Sequence, residues 1–164
     1  MNIFDQAMKI EKQGEVLYRS FAKEATDKGA IYIFTWLSEQ EKKHYGIFKK
    51  MRAGAPVSVE EDFALKAVRS IFSAWKDTGA KVNVKTAQVE LYRKALDVEE
   101  QSVRLYEEGA RNADDKRAKA VFLQIAIEER VHRQTMENII EFVTKPAIWA
   151  ENAEFGYRGE DYYL

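Results

Sequence analysis

Apolar residues recur along this chain at three- and four-residue intervals, the spacing of one face of an α-helix. The first such stripe runs from about Ile3 to Ala25 and carries Phe4, Ala7, Met8, Leu17, Tyr18, Phe21 and Ala22. Thr26-Asp27-Lys28-Gly29 interrupts it, with Gly29 the expected helix terminus. A second stripe holds Phe34, Leu37, Phe48 and Met51 and stops at Ala53-Gly54-Ala55-Pro56. A third, from about Thr86 to Ala113, holds Tyr92, Ala95, Leu96, Val103, Tyr106 and Ala110, and Asn112-Ala113-Asp114-Asp115 forms its turn. The fourth carries Phe122, Ile125, Met136, Ile139 and Val143 and ends at Lys145-Pro146. Residues 53–85 form a crossover between the second and third stripes. Within it Ser58-Val59-Glu60-Glu61 reads as a capping box. It opens a helix with Leu65, Val68, Phe72 and Trp75 on one side, ending near Asp77-Thr78-Gly79. Such a helix spans about 28 Å, enough to carry the chain from one end of a bundle to the other.

Each long stripe is broken by a residue that does not belong in an apolar core. The intruders are Glu11, then Glu41 with His44, then Glu99, then Glu129 with His132. The chain has only two histidines, and each stands three residues after a glutamate. On a helix those positions share a face, so both side chains reach one point. A shift of 88 residues maps Ala7 onto Ala95, Glu11 onto Glu99, Tyr18 onto Tyr106, Ala22 onto Ala110, Phe34 onto Phe122, Glu41 onto Glu129 and His44 onto His132. The chain therefore reads as two similar helical hairpins joined by a crossover, an all-α four-helix bundle. In an antiparallel pair, residues at one height lie equally far from the turn. The midpoint between Glu11 and the Glu41/His44 pair falls in Thr26–Gly29, and that between Glu99 and Glu129/His132 falls in Asn112–Asp115. Hairpins packed face to face would bring Glu11, Glu41, His44, Glu99, Glu129 and His132 into one layer.

Composition narrows the choice of chemistry. With 164 residues, 46% of them hydrophobic, the chain can bury a core and is expected to form one domain over residues 1–146. Residues 147–164 hold Trp149, Phe155, Tyr157, Tyr162 and Tyr163, too aromatic for a disordered end, and are expected to dock on the bundle or on a partner subunit. A net charge of -1 from 26 basic and 27 acidic residues leaves no field to hold nucleic acid. No signal-peptide layout and no bilayer-length apolar run is present, so a cytoplasmic protein without membrane partners is expected. Zero cysteines exclude disulfides, Cys-ligated zinc and a built-in iron–sulfur or rubredoxin module in these residues.

Four carboxylates cannot share an apolar interior without neutralisation. Two divalent cations supply it, and mixed carboxylate and imidazole ligation suits iron or manganese better than calcium or structural zinc. Glutamate-bridged ions would stand about 3.5–4 Å apart. The alternative is a buried network of ion pairs and hydrogen bonds with no metal.

Ala7-x-x-x-Glu11-x6-Tyr18 with Glu41-x-x-His44, and Ala95-x-x-x-Glu99-x6-Tyr106 with Glu129-x-x-His132, resemble the ferritin-like di-iron carboxylate proteins over roughly residues 3–145. The branch they are most similar to is rubrerythrin. The resemblance implies two iron ions, with manganese or zinc as substitutes, held by Glu11, Glu41, His44, Glu99, Glu129 and His132. It implies Tyr18 and Tyr106 as residues behind the ligands that steady carboxylates, although both also suit an ordinary aromatic core. Two departures stand out: Ser102 occupies the place of a further glutamate common in rubrerythrins, and the rubredoxin domain is missing. Glu15, one turn after Glu11, reads as a solvated or rim residue, with extra ligation as the alternative. Gly14 and Ser102, related by the repeat, could leave an open coordination position or permit close helix packing. The implied activity is reaction with hydrogen peroxide or dioxygen, an oxidative-stress role, with electrons from an external electron-transfer protein. Iron handling as a ferroxidase, or a structural bundle with a vestigial site, are the alternatives. A homodimer is expected as the commonest assembly.

Overall fold

A computed structural model describes residues 2–59, 64–79 and 84–145. The reading of Glu60-Glu61 as part of a capping box and the whole of the 147–164 tail lie outside the described residues. Five helices follow in order: α1 Ile3–Glu24, α2 Lys28–Arg52, α3 Ala64–Thr78, α4 Thr86–Asn112 and α5 Lys116–Thr144. No strand occurs among the described residues.

Side-chain caps start three of these helices, each satisfying backbone N–H groups that have no partner inside the helix. Asn2 accepts from the amide of Asp5 at 2.9 Å, Asp27 from Ala30 at 2.9 Å and Asp115 from Ala118 at 3.0 Å. At the other ends, α2 runs into Gly54 with φ 68° and α3 into Gly79 with φ 60°, a conformation that favours glycine. Gly29, in contrast, ends nothing. Asp27 has already begun α2, so Gly29 lies in its first turn, where an added Cβ would come within 2.6 Å of Ile71 on α3. Its small size serves the crossover helix.

α1 and α2 form one antiparallel hairpin and α4 and α5 the other; the hairpins join through α1 against α4. The crossover contains α3, described over Ala64–Thr78, a length of about 22 Å. Val68, Phe72 and Trp75 on its inner side are buried. Trp75 stacks on Phe142 of α5 with ring centroids 4.6 Å apart and planes within 6°. The core has two apolar clusters. One, with Phe21, Phe34 and Tyr92, lies toward the α1–α2 turn; the other, with Phe48, Tyr106 and Phe122, lies toward the α4–α5 turn. Between them lies a layer of buried glutamate and histidine.

Candidate metal centre

All six polar intruders of the sequence pattern meet in that layer. Glu11, His44 and Glu129 have no exposed surface, and Glu41, Glu99 and His132 have at most 2%. The two imidazoles, one from each hairpin, lie nearly parallel with centroids 5.6 Å apart. The ligand-capable atoms of Glu41, His44, Glu129 and His132 lie within 4.8 Å of one another.

The distances divide the layer into two halves. Nδ1 of His44 stands 2.6 Å from Oε1 of Glu129 and 3.6 Å from Oε2 of Glu11. Nδ1 of His132 stands 3.0 Å from Oε1 of Glu41, 3.4 Å from Oε2 of Glu129 and 3.9 Å from Oε2 of Glu99. Glu129 thus faces both histidines, one oxygen each, while Glu11 belongs to the His44 side and Glu99 to the His132 side. Gly14 makes room for the remaining carboxylate: a Cβ there would lie 2.6 Å from Oε2 of Glu41. Its repeat counterpart Ser102 is buried, but its hydroxyl donates to the backbone oxygen of Val98 at 3.1 Å and so is committed to its own helix.

Tyr18 and Tyr106 brace the layer crosswise. Tyr18 on α1 donates to Oε1 of Glu99 on α4, and Tyr106 on α4 donates to Oε1 of Glu11 on α1. Burial, then the charge of the neighbouring glutamate, lifts both phenols well above 10, so both remain donors. Each bond takes up one oxygen of its carboxylate. The other oxygens, Oε2 of Glu11 and Oε2 of Glu99, are buried without a hydrogen bond, as are both oxygens of Glu129 and Nδ1 of His44. Nδ1 of His44 is close to two carboxylates yet makes no bond of acceptable direction to either.

Five buried acceptor or donor atoms left unpaired in one layer would be costly in a purely hydrogen-bonded core, at about 1–3 kcal/mol each. Glu129 and His44 also belong to the group of four residues whose ligand atoms lie within 4.8 Å of one another, a spacing that suits a shared cation. The charges agree. Burial, then the charge of Glu129, raises Glu41 and Glu99 well above the usual carboxylate range, and the same two causes raise Glu11. Glu129 itself is lowered: burial opposes its charge, but His44 and His132 outweigh burial. Burial would lower His44, yet Glu129 and Glu11 hold it well above 6.5. Two divalent ions would balance the charge of these four carboxylates.

One participant escaped the sequence pattern. Glu128, directly before Glu129, is 6% exposed, and its Oε2 lies 2.7 Å from Nε2 of His44. Burial raises it, but the bond to His44 and that ring's charge bring it below 4.5. The available signal was its place four residues before His132, on the edge of the α5 stripe. Glu15 takes the rim place that the sequence reading favoured over ligation. It is 4% exposed, not solvated, and its oxygens are taken up by Arg19 and by Lys12 at 2.7 Å. Both partners reach solvent, so Glu15 closes the outside of α1 and does not extend the polar layer.

A family model described as rubrerythrin matches residues 2–140. The chain belongs to the rubrerythrin family. That places it in the ferritin-like di-iron superfamily, and the buried glutamate and histidine cluster of this rubrerythrin relative suits a di-metal site. No curated protein and no solved structure matches the chain. No helix among the described residues is long and apolar enough to cross a membrane.

Proposed function

We propose that the chain is a di-iron oxidoreductase that reduces hydrogen peroxide or dioxygen, drawing electrons from a separate electron-transfer protein. The observations that carry this reading are the buried ligand atoms of Glu11, Glu99, Glu129 and His44 that lack a hydrogen bond, beside the group of Glu41, His44, Glu129 and His132 whose ligand atoms lie within 4.8 Å of one another. Glu11 and His44 would hold one ion and Glu99 and His132 the other, with Glu129, which faces both histidines, and Glu41 adding carboxylate oxygens in the same layer. When bound, two ferrous ions would supply one electron each, the two that reduction of peroxide to two waters consumes along with two protons.

The protein's own residues perform the rest. Tyr18 and Tyr106 fix the outer oxygen of each terminal carboxylate, so only the inner oxygen is free to bind. Glu129 faces His44 and His132 with one oxygen each, and Glu41 places Oε1 3.0 Å from Nδ1 of His132. Phe34, Leu37, Ile125 and Met136, all but fully buried, keep bulk water from the layer. The 164 residues contain no cysteine, so an iron–sulfur donor has to come from outside them. A homodimer remains the expected assembly.

The test is anaerobic loading with ferrous iron followed by hydrogen peroxide. Oxidation of two ferrous ions per peroxide, with a near-ultraviolet charge-transfer band, is the expected result. Bound ferrous iron that peroxide and air leave unchanged would contradict the activity.

A further inference from the structure

The two halves of the layer match in the residues that face inward and differ directly behind them. Behind His44, Oε2 of Glu128 lies 2.7 Å from Nε2, and Oε1 of Glu128 accepts from the amide of Gln124 at 3.3 Å. One repeat earlier, the positions of Gln124 and Glu128 are Trp36 and Gln40. The Trp36 ring meets His132 edge-on, with centroids 5.4 Å apart and planes at 84°. One histidine is therefore backed by a buried carboxylate. The position that would back the other is a half-buried neutral amide.

We propose that Glu128 is a positioning residue for His44 and makes the two metal positions unequal: the Glu11/His44 position fills first and holds its ion more tightly than the Glu99/His132 position. This inference rests on the di-metal reading above. A neutral imidazole carries its proton on one nitrogen and offers a lone pair on the other. An ionised carboxylate can only accept, so with a cation on Nδ1 Glu128 would keep the remaining His44 proton on Nε2 and leave the Nδ1 lone pair for the cation. The bond also fixes the rotation of the ring and makes Nδ1 a stronger donor to a cation. Gln124 holds the carboxylate in turn, so its orientation does not depend on His44 alone. Glu128 adds a fifth negative charge beside the four inward carboxylates, in an interior where charge is poorly screened. That charge favours a cation on the nearer, His44 side.

The experiment is an anaerobic titration of the full chain with cobalt(II) chloride, followed by visible absorption and calorimetry. The wild-type chain is expected to bind two cobalt ions in two separable steps. Glu128→Ala weakens one step by about 10–100-fold and leaves the other nearly unchanged. Glu128→Gln, whose amide oxygen still accepts from Nε2, falls between them; should the alanine variant fail to fold, this variant alone carries the test through its partial loss in one step. Proton NMR of the cobalt form adds a readout that a packing role would not move. The exchangeable Nε2 proton of His44, shifted by cobalt, stays visible in the wild type and Glu128→Gln and is lost to solvent exchange in Glu128→Ala. Two steps of equal affinity in the wild type, equal weakening of both steps, or a changed melting temperature with both steps intact would overturn the proposal and leave the di-metal reading standing. A wild-type chain that takes up no cobalt would remove that reading, and this inference with it.

Discussion

The α1–α2 and α4–α5 hairpins agree residue by residue at the centre of the bundle and diverge one layer out. Glu11 and Glu99, Glu41 and Glu129, His44 and His132, Tyr18 and Tyr106 are repeat pairs, and all eight are buried. Their crossed bonds, Tyr18 to Glu99 and Tyr106 to Glu11, require both hairpins at once. Immediately behind them Gly14 stands against Ser102, Gln40 against Glu128 and Trp36 against Gln124. The difference teaches where the chemistry constrains the sequence. Holding two cations would require the inward groups to match, while the groups behind them could tune each half separately.

The largest way to break this symmetry is to remove the carboxylate that both halves share. Glu129→Ala is expected to reduce bound metal from two ions per chain to fewer than one, measured by elemental analysis after ferrous loading. It should also cost the metal-free fold about 3 kcal/mol, because His44 and His132 lose the buried anion between them. Glu11→Ala, in contrast, should leave the Glu99/His132 half able to bind. Equal loss in both variants would mean that the halves are not separable.

Gly14→Ala and Ser102→Ala sharpen the comparison from the other direction. The first places a Cβ 2.6 Å from Glu41 Oε2, so the carboxylate must move, at a cost of about 1–3 kcal/mol and with weakened metal binding. The second deletes a hydroxyl bonded within its own helix and should change stability by about 0.5 kcal/mol or less. Urea unfolding with and without metal reads both. Similar effects at the two positions would show that Gly14 has no special relation to Glu41.

Tyr18→Phe and Tyr106→Phe test the part that is alike. Each removes a buried donor to a carboxylate and should cost about 1–3 kcal/mol, by similar amounts in the two variants. A strong difference between them would carry the asymmetry into the inner layer.

The charges of the layer give a pH test. Glu11, Glu41, Glu99 and His44 are raised in the folded state. Their contribution to the metal-free fold is therefore present at low pH and is lost as pH rises through the raised values. Glu128 and Glu129 are lowered, so their contribution is present above the ordinary 4.5 and is lost on acidification. The metal-free chain should melt at falling temperature as pH rises above the ordinary 4.5 of the raised glutamates and 6.5 of His44, and the loaded chain should not, because bound cations keep the carboxylates ionised. Parallel pH profiles for the two forms would contradict this.

The sequence shows the architecture with little help. Four stripes of apolar spacing, two turns and the 88-residue repeat place every long helix within a residue or two of its observed ends. The six inward residues are legible because a glutamate or histidine on an apolar stripe is conspicuous. Equal distance from the turn then sets their common height. What stayed hidden depends on contacts between helices. Gly29 looks like a terminus because glycine is common there, but its surroundings on α3 decide its role. Glu128 sits at a stripe edge, where a glutamate is ordinary, and only the approach of His44 from α2 gives it a role.

If the polar layer holds two metal ions, the purified protein should carry them. The most direct measurement is the metal content of chain purified anaerobically under iron-replete conditions, with an optical spectrum before and after exposure to air or peroxide. About two transition-metal ions per chain and a near-ultraviolet band that grows on oxidation are the expected result. No bound transition metal under those conditions would contradict it, and the unpaired atoms of Glu11, Glu99, Glu129 and His44 would then need hydrogen-bond partners of another kind.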